Sequence, residues 1–479
     1  MSWTDLRGWL EKVEEMEELK HLDGIDWDEE IGIIRFLART KKTDAPAVLF
    51  DNIKDYPKGY RVLTSALNSK RRLLMTFQVG QASTNMAMVA AIREKMKNNP
   101  LIPPRVVNTG PVLENVQKGD DINLFKFPVP KWHKYDAGRY MGTLGCVITR
   151  DPEEGWVNIG TYRSMISGKN ELLNFIDPGQ HARIHRDKYF ARGENMPVVF
   201  VFGCDPVLPM LGGTEVPYGV SEYDYAGGLK GAPIDVIEGE YTGLPIPATA
   251  EIAVEAEVLH NESKVEGPFA EFSGYYGSAP RPEPVVRVKA VMHRNDPILI
   301  GLLGAGQSPK GISSDRVQHL PMIKSANIWN QLEAAGVPDV RGVWVHPAGF
   351  YFWVVVSIKQ RYPGHAKQAA LLASDCGAGG YYGRYVIVVD DDVDPSYDFA
   401  VLHALGNRTD PERSIDIIRD MRGGLLDVGV DPEKRGLTSK AIINACIPFD
   451  KLKTFPRAAR FDPALRQKVI EKYGNKLFE

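Results

Sequence analysis

Apolar residues recur every three or four positions at the start of the chain, at Leu6, Leu10 and Val13 and again at Ile31, Ile34 and Leu37. Such spacing lines one face of an α-helix, so two amphipathic helices are predicted, with Asp26 as a cap for the second. Residues 46–50 read as a strand, and the stretch to about Pro104 as a small α/β unit of mixed connections. Between Gly119 and Gly304 the period shortens to two. Runs at 144–148, 198–202, 252–259 and 285–292, separated by Gly- and Pro-rich turns, predict a β-rich, barrel-like domain. Beyond Ser313 the patterns alternate: a helix at 325–335, strands at 342–346 and 352–358, a helix at 365–374 and a strand at 385–389. The segment after Thr454 is polar and helical, suited to packing on a neighbouring subunit. A mixed α/β, α+β chain of three units follows: α/β at 1–110, a β-barrel at 111–312 and α/β at 313–479 with an oligomerisation helix.

A chain of 479 residues is longer than one ordinary core, and 43% hydrophobic with 25% charged residues is the composition of a soluble globular protein. A net charge of −3 argues against a nucleic-acid or anionic-membrane partner, which a basic face usually meets. The first residues hold no apolar signal-peptide core, and no run of eighteen apolar residues follows, so a cytoplasmic protein is expected. Cys146, Cys204, Cys376 and Cys446 form no CxxC pair, which signals neither a zinc ribbon nor a disulfide framework.

The stretch from Val265 to Tyr276 sets Glu266 and Glu271 five residues apart in a frame of Gly267, Pro268, Phe269, Phe272 and Gly274. Aromatic walls that exclude water favour the neutral form of a carboxyl group, and a carboxyl poised near neutrality performs acid/base work. A strand-turn with two surface salt bridges is the alternative. In the same domain Asn158 to Arg163 follow Trp156 and Val157, Gln180-His181 come later, and Ser221-Glu222-Tyr223 later still. An amide oxygen, an imidazole and a carboxylate suit a divalent ion such as Mn²⁺ or Mg²⁺, although a lone histidine such as His181 at such spacing is more often a surface or satisfied one than a ligand. Asp390, Asp391, Asp392 and Asp394 read as a strand end entering a solvated loop rather than as a second metal site.

Taken together, Asn158 to Arg163, Gln180-His181, Glu222, Glu266-Gly-Pro-Phe-Ala-Glu271 and Arg384-Tyr385-Val-Ile-Val-Val-Asp390 resemble the UbiD family of reversible decarboxylases in order and spacing. The resemblance extends to Pro46 to Ile53 and Arg150-Asp151-Pro152, and so over nearly the whole chain. It implies a central split β-barrel of flavin-reductase type that binds prenylated FMN, made by a separate flavin prenyltransferase. By matching position it implies Asn158, His181 and Glu222 as ligands of Mn²⁺ or Mg²⁺ at the cofactor phosphate, with K⁺ or Na⁺ nearby. Ile159, Thr161, Tyr162, Arg163, Gln180 and Arg384 would join them at the cofactor, Arg384 standing where the family commonly has Lys. Arg163, Glu266 and Glu271 correspond to a Glu-Arg-Glu network. The implied reaction is non-oxidative decarboxylation of a small aromatic, heteroaromatic or α,β-unsaturated acid to release CO₂, reversible at high bicarbonate, in a homodimer or homohexamer. A non-catalytic paralogue and an ordinary flavin reductase are the competing classes; neither needs all of these positions.

Overall fold

The computed structural model describes residues 3–41, 44–308, 311–313, 319–349, 351–459 and 461–478. The first helix, Leu6–Glu15, buries Leu6, Trp9, Leu10 and Val13, and Asp5 caps it by accepting from the Gly8 N–H at 2.9 Å. The second helix begins at Glu30, later than the cap expected at Asp26. Asp26 instead closes the preceding turn, its carboxylate accepting from the Asp28 N–H and from Lys54.

Strand Leu19–Asp23 runs parallel to Ala47–Asp51, which pairs antiparallel with Arg61–Thr64. The fourth strand of that sheet is Ile298–Gly301, parallel to Arg61–Thr64 and contributed from far along the chain. The first sheet is therefore completed by a strand that falls, in sequence, within the β-rich stretch.

The largest sheet runs in the order Val157–Gly160, Cys146–Arg150, Met196–Val201, Ile252–Glu266, Arg281–His293, Glu171–Asn174, Ser164–Gly168, with Asn115–Lys118 paired on Arg281–His293. Its two outermost strands, Val157–Gly160 and Ser164–Gly168, are separated in sequence by residues 161–163 alone. Three residues span at most about 11 Å, so the sheet curls until its ends meet. No strand ladder among the described residues joins those two ends; the short link does. One core of the molecule includes Val147, Val198, Phe200, Val254, Ala256 and Val286 from these strands. Each of these buried valines and Phe200 contributes about 1.5–3 kcal/mol.

The C-terminal sheet has the order Val340–Val345, Trp353–Ile358, Tyr385–Asp390, Leu437–Asn444, Ile415–Arg422, parallel in its three central strands and antiparallel at both edges. Helices His319–Ala334 and His365–Asp375 pack on it, the first beginning six residues before its predicted start. Among the aspartates at 390–394, Asp390 and Asp392 are held by Arg408 at 2.9–3.0 Å. The last helix, Pro463–Phe478, leaves Leu465, Val469 and Tyr473 exposed at four-residue spacing. No helix among the described residues is long and apolar enough to cross a membrane.

Candidate active site

Glu266 is the last residue of the long strand Ile252–Glu266, paired with Arg281, and Glu271 lies five residues on in the turn that follows. Gly267 and Gly274 open and close this turn with φ of 83° and 78°, values that favour glycine. The turn is pinned from outside: the Ala270 N–H donates to Asp136 at 2.9 Å, and the Glu271 N–H to the Tyr275 carbonyl at 2.9 Å. Arg163 arrives from the link between the two outer strands, so sheet curvature brings it to the glutamates.

The guanidinium forks onto Glu266, with Nε to Oε1 at 2.9 Å and Nη2 to Oε2 at 2.7 Å, and its Nη1 donates to Glu271 Oε1. Nη2 also donates to Ser278 Oγ at 3.1 Å, and the Tyr140 hydroxyl donates to Glu266 Oε1 at 2.9 Å. Glu266, Glu271 and Arg163 expose 0%, 6% and 8% of their surface, so the triad is dry and its contacts are strong. Phe175 covers the guanidinium at 4.2 Å, which adds a cation–π contact. The surface salt-bridge alternative is thereby excluded for both glutamates.

Two adjoining cavities, of about 150 and 270 Å³, share Tyr162, Gln180, Gly212, Thr214, Glu215 and Tyr381. They are two lobes of one cleft, and together they reach the size of small-molecule and cofactor sites. The smaller lobe is lined by Thr161, Arg163, Phe175, Phe269, Glu271 and Phe272 from one side, and by Lys324, Tyr351, Tyr382 and Leu426 from the C-terminal domain. Glu271 belongs to this lining; Glu266 does not, and stands behind Arg163.

The larger lobe brings together Asn158, Ile159, Gln180, His181 and Glu222. Asn158 Oδ1 lies 3.2 Å from His181 Nδ1, and Glu222 Oε2 accepts from the Ile159 N–H at 2.6 Å. Burial raises the Glu222 carboxyl to about 8 and lowers the His181 imidazole. Glu222 is 2% exposed, and no cation among the described residues pairs with it. Among the described residues no group of three or more His, Cys, Asp or Glu side chains is arranged to hold a metal ion; here two such side chains are joined by an amide. A buried carboxylate without a counter-charge, beside an imidazole and an amide, fits a divalent ion, whose charge would restore the ionised form.

Arg384 stands apart from this assembly. Its guanidinium donates to Asp427 and lies over Phe352, and it lines neither lobe. The C-terminal cations at the cleft are Lys324 and Arg422, neither singled out by sequence motifs. Tyr140, Ser278, Tyr381 and Tyr382 were equally silent, since each lies outside any short pattern.

Comparison with known proteins decides the family. The chain matches the N-terminal, Rift-related and C-terminal domains of 3-octaprenyl-4-hydroxybenzoate carboxy-lyase over residues 10–92, 105–307 and 319–445. The chain belongs to the UbiD family. This UbiD-family chain is 32% identical over 473 residues to a pyrrole-2-carboxylic acid decarboxylase of Pseudomonas aeruginosa, covering 94% of this chain and 93% of that one. The closed form of vanillic acid decarboxylase from Sedimentibacter hydroxybenzoicus is similar over 100% of both chains, with a TM-score of 0.89 and 27% identity. An evolved dimeric form of the UbiD-class enzyme HmfF from Pelotomaculum thermopropionicum, in complex with prFMN, matches 98% of this chain and 100% of its own, with a TM-score of 0.79 and 26% identity. UbiD-family enzymes of this kind are carboxy-lyases, and this chain is one.

Proposed function

We propose that this UbiD-family enzyme is a reversible, non-oxidative decarboxylase of aromatic, heteroaromatic or α,β-unsaturated carboxylic acids that works with prenylated FMN. The observation that carries the reading is the asymmetry of the triad: Glu271 lines the smaller lobe, while Glu266 is sealed behind Arg163. In the larger lobe Asn158, His181 and Glu222 would hold Mn²⁺ or Mg²⁺ against the cofactor phosphate, with K⁺ or Na⁺ nearby. Ile159, Thr161, Tyr162, Arg163 and Gln180 would flank the cofactor. Arg384, committed to Asp427, is left out of that contact. Bound there, the prenylated flavin supplies the sink for the electrons released when the carboxylate leaves.

The chain's own residues then have separable work. Phe269, Phe272, Tyr351 and Tyr382 give a flat apolar acid its walls and exclude water. Arg163 keeps the two glutamates in fixed relation by holding both at once. Protonated Glu271 delivers its proton to the carbon that loses CO₂, and the resulting Glu271 carboxylate regains one from solvent, so the sum is substrate carboxylate plus one proton giving the decarboxylated product plus CO₂. Carboxylation runs the same proton in reverse. The exposed Leu465, Val469 and Tyr473 of the last helix support self-association; a homodimer or homohexamer, a cytoplasmic location and supply of the cofactor by a flavin prenyltransferase belong to the same proposal.

The test is production together with a flavin prenyltransferase, followed by absorbance and mass analysis of the bound flavin. The loaded protein is then assayed for CO₂ release from pyrrole-2-carboxylate, vanillate, 4-hydroxybenzoate and cinnamate. Retention of the prenylated flavin and turnover of at least one acid are expected. Loaded protein that releases CO₂ from none of them would overturn the reading.

A further inference from the structure

Glu266 and Glu271 share one arginine but not one environment. Glu266 accepts three hydrogen bonds, two from Arg163 and one from Tyr140. Glu271 accepts one, from Arg163, and its carboxyl lines the cleft. Hydrogen bonds given to a carboxylate favour its charged form, and Glu266 receives more of them than Glu271. Among the described residues Tyr140 is a donor to Glu266 that makes no bond to Glu271, whereas Arg163 donates to both. The Tyr140 ring is wholly buried and packs on Phe269 at 4.3 Å, in the turn between the two glutamates.

We propose that Tyr140 is a positioning residue that keeps the transferable proton on Glu271 by holding Glu266 as the anion of the pair. Burial, together with the negative charge of Glu266, pushes the Tyr140 hydroxyl far above its ordinary value, so Tyr140 remains a donor throughout the working range. The other charged groups facing the pair do not supply this bias. Glu283, from the neighbouring strand, feels Glu266 as a like charge and is paired with Arg281 at 3.0 Å and Arg186 at 3.7 Å. Asp136, near Tyr140, is occupied by the Ala270 and His133 N–H groups. Asp177, Glu215 and Lys324 face the cleft on the side of Glu271.

The proposal rests on the decarboxylase reading above, and it has a kinetic signature of its own. A coupled pair binds its proton with the sum of two site affinities, whereas only the share on Glu271 is productive. Removing the Tyr140 hydroxyl strengthens proton binding at Glu266 and leaves Glu271 nearly unchanged. The summed affinity rises and the productive share falls by the same factor. In Tyr140→Phe the plateau of the proton-transfer rate therefore drops, the alkaline limb moves up in pH by the logarithm of that drop, and the two profiles converge above the limb. A charge-assisted hydrogen bond is worth about ten- to a hundredfold in affinity, and taking a preference of about tenfold for Glu271 as the starting point the drop is about two- to tenfold. KM stays unchanged, because Tyr140 does not line the cleft.

The experiment compares Tyr140→Phe with wild type as prenylated-flavin holoenzymes, by single-turnover appearance of the protonated product, from whichever of the four acids above is turned over, between pH 5 and 9. Infrared titration of the carboxyl C=O band, assigned by its loss in Glu271→Gln and in Glu266→Gln, reads the proton's location without any substrate. Expected are the matched drop and limb shift, with part of the Glu271 band transferred to Glu266. A profile lowered in parallel with an unmoved limb, or an unchanged band partition, would overturn the proposal. A wild-type enzyme that releases CO₂ from none of the four acids would instead refute the decarboxylase reading, while the infrared partition would still decide the role of Tyr140.

Discussion

Gly304 offers a way to move Glu271 without altering it. A methyl group built at Gly304 would lie 2.2 Å from the Ala270 carbonyl oxygen and 3.4 Å from the Glu271 carbonyl carbon. Carbon and oxygen need roughly 3.3 Å, so the backbone carrying Glu271 must retreat by about 1 Å. The neighbour is main chain in a turn already pinned by Asp136 and by the Tyr275 carbonyl, so no side-chain rotation relieves the contact. Overpacking of this kind costs about 1–3 kcal/mol, within what a folded protein tolerates. A displacement of about 1 Å in a proton donor costs on the order of a hundredfold in rate. Gly304→Ala is therefore expected to fold, to retain cofactor, and to lose about a hundredfold in kcat, with a smaller change in KM. Gly406→Ala is the control, since a methyl there meets nothing within 4 Å on an exposed helix. It should gain up to about 1 kcal/mol and keep its rate. Steady-state kinetics and urea unfolding of loaded enzymes measure both. Wild-type kcat in Gly304→Ala would refute the claim that turnover depends on the seating of Glu271.

If Asn158, His181 and Glu222 hold a divalent ion as proposed, His181→Ala should lower both the bound divalent metal and the retention of cofactor; metal analysis by mass spectrometry checks this, and full occupancy would remove His181 from the site. His185, wholly buried beside Thr149 at 2.9 Å, is pushed down by burial from 6.5 to about 4. Below pH 6.5 the unfolded chain takes a proton that the folded chain refuses, so about 3 kcal/mol of stability present at neutral pH is lost as pH falls to about 4. His185→Gln should flatten that part of the pH dependence of urea midpoints, and an unchanged acid slope would contradict it.

What the sequence revealed and what it hid divide along contact distance. Glu266 and Glu271 were legible because a strand end, two glycines and aromatic residues lie within one short stretch, where local chemistry announces an unusual place for charge. The spacing of Leu6, Leu10 and Val13 likewise sufficed for a helix, since that face is read off one element. The fourth strand of the first sheet, Ile298–Gly301, was hidden because parallel pairing brings together segments more than two hundred residues apart and leaves no mark in local period. Tyr140 and Ser278 were hidden for the same reason: each meets Arg163 or Glu266 only after the sheet has curled. Arg384 shows the converse, for its place in a recognisable motif did not reveal that Asp427 would occupy its guanidinium.

The most direct test of the account is whether Glu271 hands the proton to carbon. In deuterated solvent, the wild-type enzyme loaded with prenylated flavin should place deuterium at the carbon that lost its carboxylate. Glu271→Gln retains the shape and can still donate a hydrogen bond, but it cannot protonate carbon. With cofactor loading matched by absorbance, it should lose turnover and deuterium incorporation by about a hundred- to ten-thousandfold, while Glu266→Gln loses less. Glu271→Gln that incorporates deuterium at the wild-type rate would contradict the account.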